Sequence, residues 1–122
     1  MLEVERVKRL VRSVSTDLDL DLQGLKVLTE VGSNSYSILP VIAAFSGAEV
    51  FAWTRDSSYG KAVDNIDQCS KLLDSFGLIE KVEFYIGDIN KDHLQEADII
   101  TNSGFLRPLN AEKLKHTKSG VV

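Results

Sequence analysis

Cysteine is almost absent from this chain. The 122 residues include one, Cys69, so no internal disulfide is available, and a reducing compartment is the expected setting. Proline is nearly as scarce, with Pro40 and Pro108 alone, which leaves long stretches free to form regular elements. Basic residues are outnumbered, 14 against 18 acidic ones, for a formal charge of −4. That balance argues against a nucleic-acid surface, which needs clustered Lys and Arg to neutralise phosphate. No apolar run approaches the length that crosses a bilayer. The opening Met1–Lys8 segment is too charged for a secretory signal, so a cytoplasmic location is expected.

What remains is ordinary globular material, 43% hydrophobic and 26% charged, enough for a core without staples. Leu2, Val7, Leu10, Val11 and Val14 fall at helical spacing over residues 2–14, with Glu, Arg and Lys between them. An amphipathic helix is expected there, covering a sheet or a partner domain. In residues 15–24, Asp17, Asp19 and Asp21 alternate with Leu18, Leu20 and Leu22. The segment reads as an edge strand or a solvated connector, and the connector is preferred because no further ligands support a metal site on the aspartates. Residues 1–24 are thus taken as helix plus connector, and 25–122 as the main domain.

That domain alternates strand and helix patterns. Strands are expected over 25–31, 48–54, 81–87 and 98–102, with a fifth beginning at Gly120-Val121-Val122. Between them lie helices at 35–46, with Ile38, Val41, Ile42 and Phe45 inward, at Ser58–Phe76, at 90–96 and at 111–115. Alternation of this kind implies right-handed crossovers and a parallel sheet. The expected class is an α/β, three-layer Rossmann-like sandwich with a mainly parallel sheet of four to five strands, preceded by the N-terminal helix. Such sheets usually continue further, so the chain reads as part of a longer protein, or as a half-sheet completed by association into an oligomer.

Ligands of open parallel sheets sit outside the carboxyl ends of the strands. The first strand runs into Glu30-Val31-Gly32-Ser33-Asn34-Ser35-Tyr36-Ser37, an acid, a glycine and a row of small polar residues before a helical pattern. This is the form a strand–loop–helix unit takes when backbone must come close to a nucleotide. The other ends carry Thr54-Arg55-Asp56, Gly87-Asp88 and Asn102-Ser103-Gly104.

The segment Glu30–Ser35 resembles the first motif of class I S-adenosylmethionine-dependent methyltransferases, an acid followed by a glycine-rich loop. Val82–Asp88 is similar to that family's third strand with its terminal aspartate, and Ala97-Asp98-Ile99-Ile100 to the strand leading to the substrate side. The resemblance spans about residues 25–122. It implies S-adenosylmethionine as cofactor, lying over Gly32, Ser33, Asn34 and Ser35, with Asp88 near the adenine. Asn34 and Tyr36 stand where the family has glycines, and Thr54-Arg55 where it has a ribose-binding acid.

A second resemblance is to NAD(P)-dependent dehydrogenases, carried by Gly24–Val27, Gly47–Val50 and Ala97–Val121. It implies NADP or NAD as cofactor, with Arg55 beside a 2′-phosphate. The full G-x-G-x-x-G fingerprint is lacking. Glu30 and the Gly87-Asp88 pair favour the first resemblance. The candidate cofactor set is Glu30, Gly32, Ser33, Asn34, Ser35, Thr54, Arg55, Asp88 and Asn102. A non-catalytic Rossmann-like assembly module is the third reading.

Single residues keep two roles open. Gly32 serves a tight turn or a ligand, Glu30 a helix dipole or a ligand, Asp88 a helix N-cap or the adenine, and Arg55 a surface ion pair or a phosphate. His93 and His116 are expected in solvent, Cys69 and Trp53 in the core, and Tyr36 at the loop with a ring able to stack on a base.

Overall fold

The computed structural model describes residues 3–89, 91–101 and 111–122. Four strands, β1 (Lys26–Glu30), β2 (Glu49–Thr54), β3 (Val82–Ile86) and β4 (Ile99–Ile100), form one sheet in the order β3-β2-β1-β4. Every pairing is parallel. Val122 adds a further step beside β4, donating its amide to Asp98 O (3.0 Å) and accepting from Ile100 N (2.8 Å). That is where the sequence expects a fifth strand to begin.

Helices α1 (Val4–Asp17), α2 (Ile38–Phe45) and α3 (Ala62–Ser75) close one face. Register explains which side chains meet them. Val27 lies opposite Val50, which lies opposite Val82, and Thr29 lies opposite Ala52 and then Phe84. These rows point to the same side, because partners across a parallel pair share a face. They pack with Val41, Ala44, Cys69, Leu72 and Leu73, and Val7 and Val11 of α1 join the same core. Lys8 and Arg12 of α1 lie over the Phe76 ring at 5.3 and 5.6 Å, and Lys8 Nζ donates to Ser75 O at the end of α3. A cation there meets the unpaired carbonyls and the negative end of the helix dipole.

The opposite face carries Leu28, Trp53 and Phe51, covered by Leu94 and Ala97 of and beside α4 (Lys91–Glu96). A short α5 (Ala111–Leu114) follows.

Three sequence expectations need correction. Leu10 is 50% exposed, because α1 turns Val7 and Val11 inward and carries Leu10 to the outside. The helix expected from Ser58 begins at Ala62, since Ser57 and Gly60 close a turn by mutual backbone bonds (2.9 and 3.3 Å) and Asp56 Oδ1 accepts the Ala62 amide at 2.8 Å. The helix expected over 35–46 opens with a 3-10 turn, Asn34–Ser37, before α2.

Candidate functional site

The strand order reverses between β1 and β4: the sheet grows outward through β2 and β3, then returns to the other side of β1. In open α/β sheets this reversal opens a crevice between the loops leaving the two adjacent strands. Here those strands are stitched across the helix-covered face by a Thr29–Thr101 hydroxyl bond of 2.7 Å.

The loop leaving β1 is drawn back on itself. Gly32 N donates to Tyr36 O and Tyr36 N to Ser33 O, both at 3.1 Å, and Ser37 Oγ donates to Asn34 O at 2.6 Å. Asn34 takes the left-handed conformation, φ 52°, where the family pattern has glycine. Asparagine tolerates that region better than most residues. Gln68 Oε1 on α3 accepts the Asn34 amide at 3.0 Å. The amides of Gly32 and Asn34 are therefore engaged inside the protein, while Asn34 and Ser35 stay exposed and Ser33 is half-buried. Tyr36 is 44% exposed and does not fill the corner with its ring buried.

The remaining candidates divide by face. Glu30 is buried and lies in register with Trp53, on the α4 side of the sheet. Thr54 is buried on the other side, where its hydroxyl takes Asn65 Nδ2 at 3.2 Å. Arg55 and Asp88 are brought together from the ends of β2 and β3, with Nη1 and Oδ1 2.9 Å apart and both side chains largely exposed. An exposed pair like this contributes roughly 0–1 kcal/mol and yields easily to another anion. Asn102 lies outside the described residues.

Sequence reasoning missed the part played by α3. Ala62, Asn65, Cys69, Leu72 and Leu73 form its buried stripe, and Gln68 flanks it. Asn65 was the available signal: an amide in an otherwise apolar helical stripe. Cys69 donates its thiol to Ser37 O at 3.4 Å, and burial pushes the thiol pKa up to about 12, which makes it inert as a nucleophile. Together Gln68 and Cys69 pin the β1 loop to α3.

His93 also departs from expectation. It does not stand in solvent but stacks on Phe51, centroids 3.7 Å apart, with Tyr85 edge-on at 5.1 Å. Beside it runs a groove of about 450 Å³ at the amino ends of β1–β3. Its floor carries the cross-strand pair Glu49 and Lys26 and the row Glu83, Phe51 and Leu28, and Lys81 lines it as well. Among the described residues no group of three His, Cys, Asp or Glu side chains is placed to hold a metal ion. Nor is any helix among them long and apolar enough to cross a membrane.

No protein-family model matches the sequence, and no curated protein matches it. Among solved structures, the chain is similar to aspartate transcarbamoylase from Trypanosoma cruzi in its ligand-free form (TM-score 0.51, 10% identity, 95% of this chain and 39% of that one). The same enzyme in complex with phosphate gives a TM-score of 0.50 at 11% identity, covering 95% of this chain and 40% of that one. This chain thus spans about two fifths of the length of these neighbours. At such identity the likeness defines a Rossmann-like α/β fold and nothing about chemistry.

Proposed function

We propose that this chain is a Rossmann-like domain that binds a nucleotide cofactor at the carboxyl edge of its sheet, and that NADP is the cofactor whose chemistry fits best. The observation that carries the choice is the end of β2. The ribose-binding acid of other cofactor sites is replaced by Arg55, an exposed guanidinium paired with a surface carboxylate, Asp88. A 2′-phosphate is a stronger bidentate partner for arginine than an exposed aspartate. Asp56, the nearest alternative acid, is committed to capping α3. The hydroxyls of Ser33 and Ser35 and the exposed Asn34 line the approach to the α2 end, where a pyrophosphate would lie.

S-adenosylmethionine is the second reading, supported by the acid-then-glycine sequence at Glu30–Gly32 and by Asp88 at the β3 end. Thermal shift separates the two. NADP is expected to raise Tm more than NAD or S-adenosylhomocysteine, by an amount corresponding to about 2.7 kcal/mol at a hundredfold its Kd. Arg55→Ala should erase the preference for NADP over NAD. A shift with S-adenosylhomocysteine alone would make the methyltransferase-like reading the better one. No shift with any of the three would leave a non-catalytic assembly module.

A further inference from the structure

We infer that Asn65 reads a sugar hydroxyl of the bound nucleotide, reached from the gap between the Ser57–Gly60 turn and the loop leaving β1. This inference rests on the nucleotide-binding reading above and adds to it a residue that neither family resemblance supplies.

Asn65 is 1% exposed. One end of its amide, Nδ2, meets Thr54 Oγ1 at 3.2 Å; the other, Oδ1, has no hydrogen-bond partner among the described residues. A buried amide oxygen without a partner costs stability, about 1–3 kcal/mol in typical cases, and an apolar residue of the same shape would avoid that cost. Every other polar group by which α3 grips the β1 loop is used: Gln68 accepts Asn34 N, and Cys69 donates to Ser37 O. The orphan oxygen lies at the seam between the two cofactor-side loops. A Cβ built on Gly60 would stand 3.3 Å from it and 3.8 Å from Ser33 Cβ, so the turn lies directly over both.

The turn is closed within itself, with Tyr59 N donating to Ser57 Oγ at 3.1 Å. Ser57 and Gly60 bond to each other, and Ser33 Oγ reaches Tyr59 O at only 3.5 Å. An outward movement of residues 57–60 would expose Asn65 beside Ser33. A hydroxyl is the group that fits. The Thr54 hydroxyl can donate or accept, so the Asn65 amide satisfies it in either orientation and presents an acceptor or a donor to the gap. A sugar hydroxyl complements both presentations, whereas a phosphate oxygen or an ammonium complements one.

Two variants test this in the full chain. Asn65→Leu removes the orphan group with little change of shape. Gly60→Ala places a methyl over the gap and leaves the amide intact. Titration with NADP and with adenosine, followed by fluorescence of the buried Trp53 or by thermal shift, reads the effect. Asn65→Leu should weaken binding of both ligands at least tenfold with little change in the unliganded Tm, since relief of the orphan oxygen offsets loss of the Thr54 bond; Gly60→Ala should weaken both at least threefold. If NADP binding depends on Arg55 but survives both variants unchanged, the inference is overturned and the NADP reading stands. The inference holds and the NADP reading falls if adenosine binds as well as NADP and both are lost in Asn65→Leu. Absence of binding by either nucleotide overturns both. Should Asn65→Leu lower the unliganded Tm and leave affinity alone, Asn65 is a structural tie to Thr54 and the inference fails.

Discussion

Three helices close one face of the sheet, and a six-residue helix lies over the other. On the first face β-branched and aliphatic side chains meet a continuous apolar layer; of the polar groups that enter it, Thr29, Thr54 and Ser37 are bonded, and Asn65 is bonded at one end of its amide. On the second face, aromatic and charged side chains form the floor of a groove, with His93 folded onto Phe51 as the only ring of α4. A parallel sheet is normally buried on both sides. The difference shows where this chain invests its cohesion: in the β1-α2-β2-α3 unit, which also carries the two cofactor-side loops.

The sharpest way to break this comparison is to cut a leucine from each side. Leu73 on α3 and Leu94 on α4 are both fully buried. Leu73 lies within the larger cluster, where neighbours on α1, α2 and the sheet cannot all collapse inward, so Leu73→Ala should cost about 3–5 kcal/mol. Leu94 hangs on a short helix that can shift toward the gap, so Leu94→Ala should cost about 2–3 kcal/mol. Urea denaturation gives both values; equal losses would mean the two faces are equally close-packed.

The β1 loop offers the next largest effect. Asn34 holds φ at 52°, a region that costs a residue without a short polar side chain about 1–2 kcal/mol. Asn34→Ala is expected to lower stability by about 1 kcal/mol, and Asn34→Gly to leave it within about 0.5 kcal/mol, with both followed by denaturation. If alanine is tolerated as well as glycine, the loop is not held in that conformation in solution.

This loop also marks how far the sequence could be read. Runs such as Val27-Leu28-Thr29 and Val50-Phe51-Ala52-Trp53 announced their strands because β-branched and aromatic residues fit a pleated, buried surface. Strand–helix alternation then limited the topology to a parallel sheet. The start of α3 was misplaced because Ser58 resembles an N-cap, while the real cap is Asp56, reaching six residues along the chain across a turn closed at Gly60. Arg55 and Asp88 were legible as residue types, but their pairing depends on β2 lying against β3. The groove could not be read at all: Glu83, Phe51 and Leu28, with Glu49 and Lys26 beside them, are far apart in sequence and fall into rows only through sheet register.

The Glu49–Lys26 pair predicts a smaller effect. Lys26 on β1 lies opposite Glu49 on β2, so opposite charges meet at the amino edge. Cross-strand charge pairs contribute about 0.2–1 kcal/mol, and like charges in register oppose pairing. Glu49→Lys sets two lysines in register on β1 and β2 and should lower stability by about 0.5–1 kcal/mol at low ionic strength. Added salt should recover most of the loss, since Glu49 is exposed. A salt-independent loss would point to packing rather than charge.

His93 supplies the smallest effect and the one with the clearest sign. Burial against Phe51 disfavours the imidazolium and lowers the pKa from 6.5, while Glu83, Asp92 and Glu96 pull the other way. A histidine whose folded pKa is depressed favours the native state when neutral. Its contribution is present above pH 6.5 and is lost as pH falls below that toward the folded value. Asp98 behaves likewise in a separate window: the Lys118 ammonium and the Lys26 amide hold its carboxyl below 3.8, so its contribution persists until far more acid conditions. Stability measured between pH 7 and 5 should therefore decline through His93 and not through Asp98. His93→Phe, which keeps a ring on Phe51 without a charge, should flatten that decline while leaving the drop below pH 4 in place. An unchanged slope between pH 7 and 5 in His93→Phe would show that α4 does not hold its histidine against the sheet, and the second face would then be more open than the first by a whole helix.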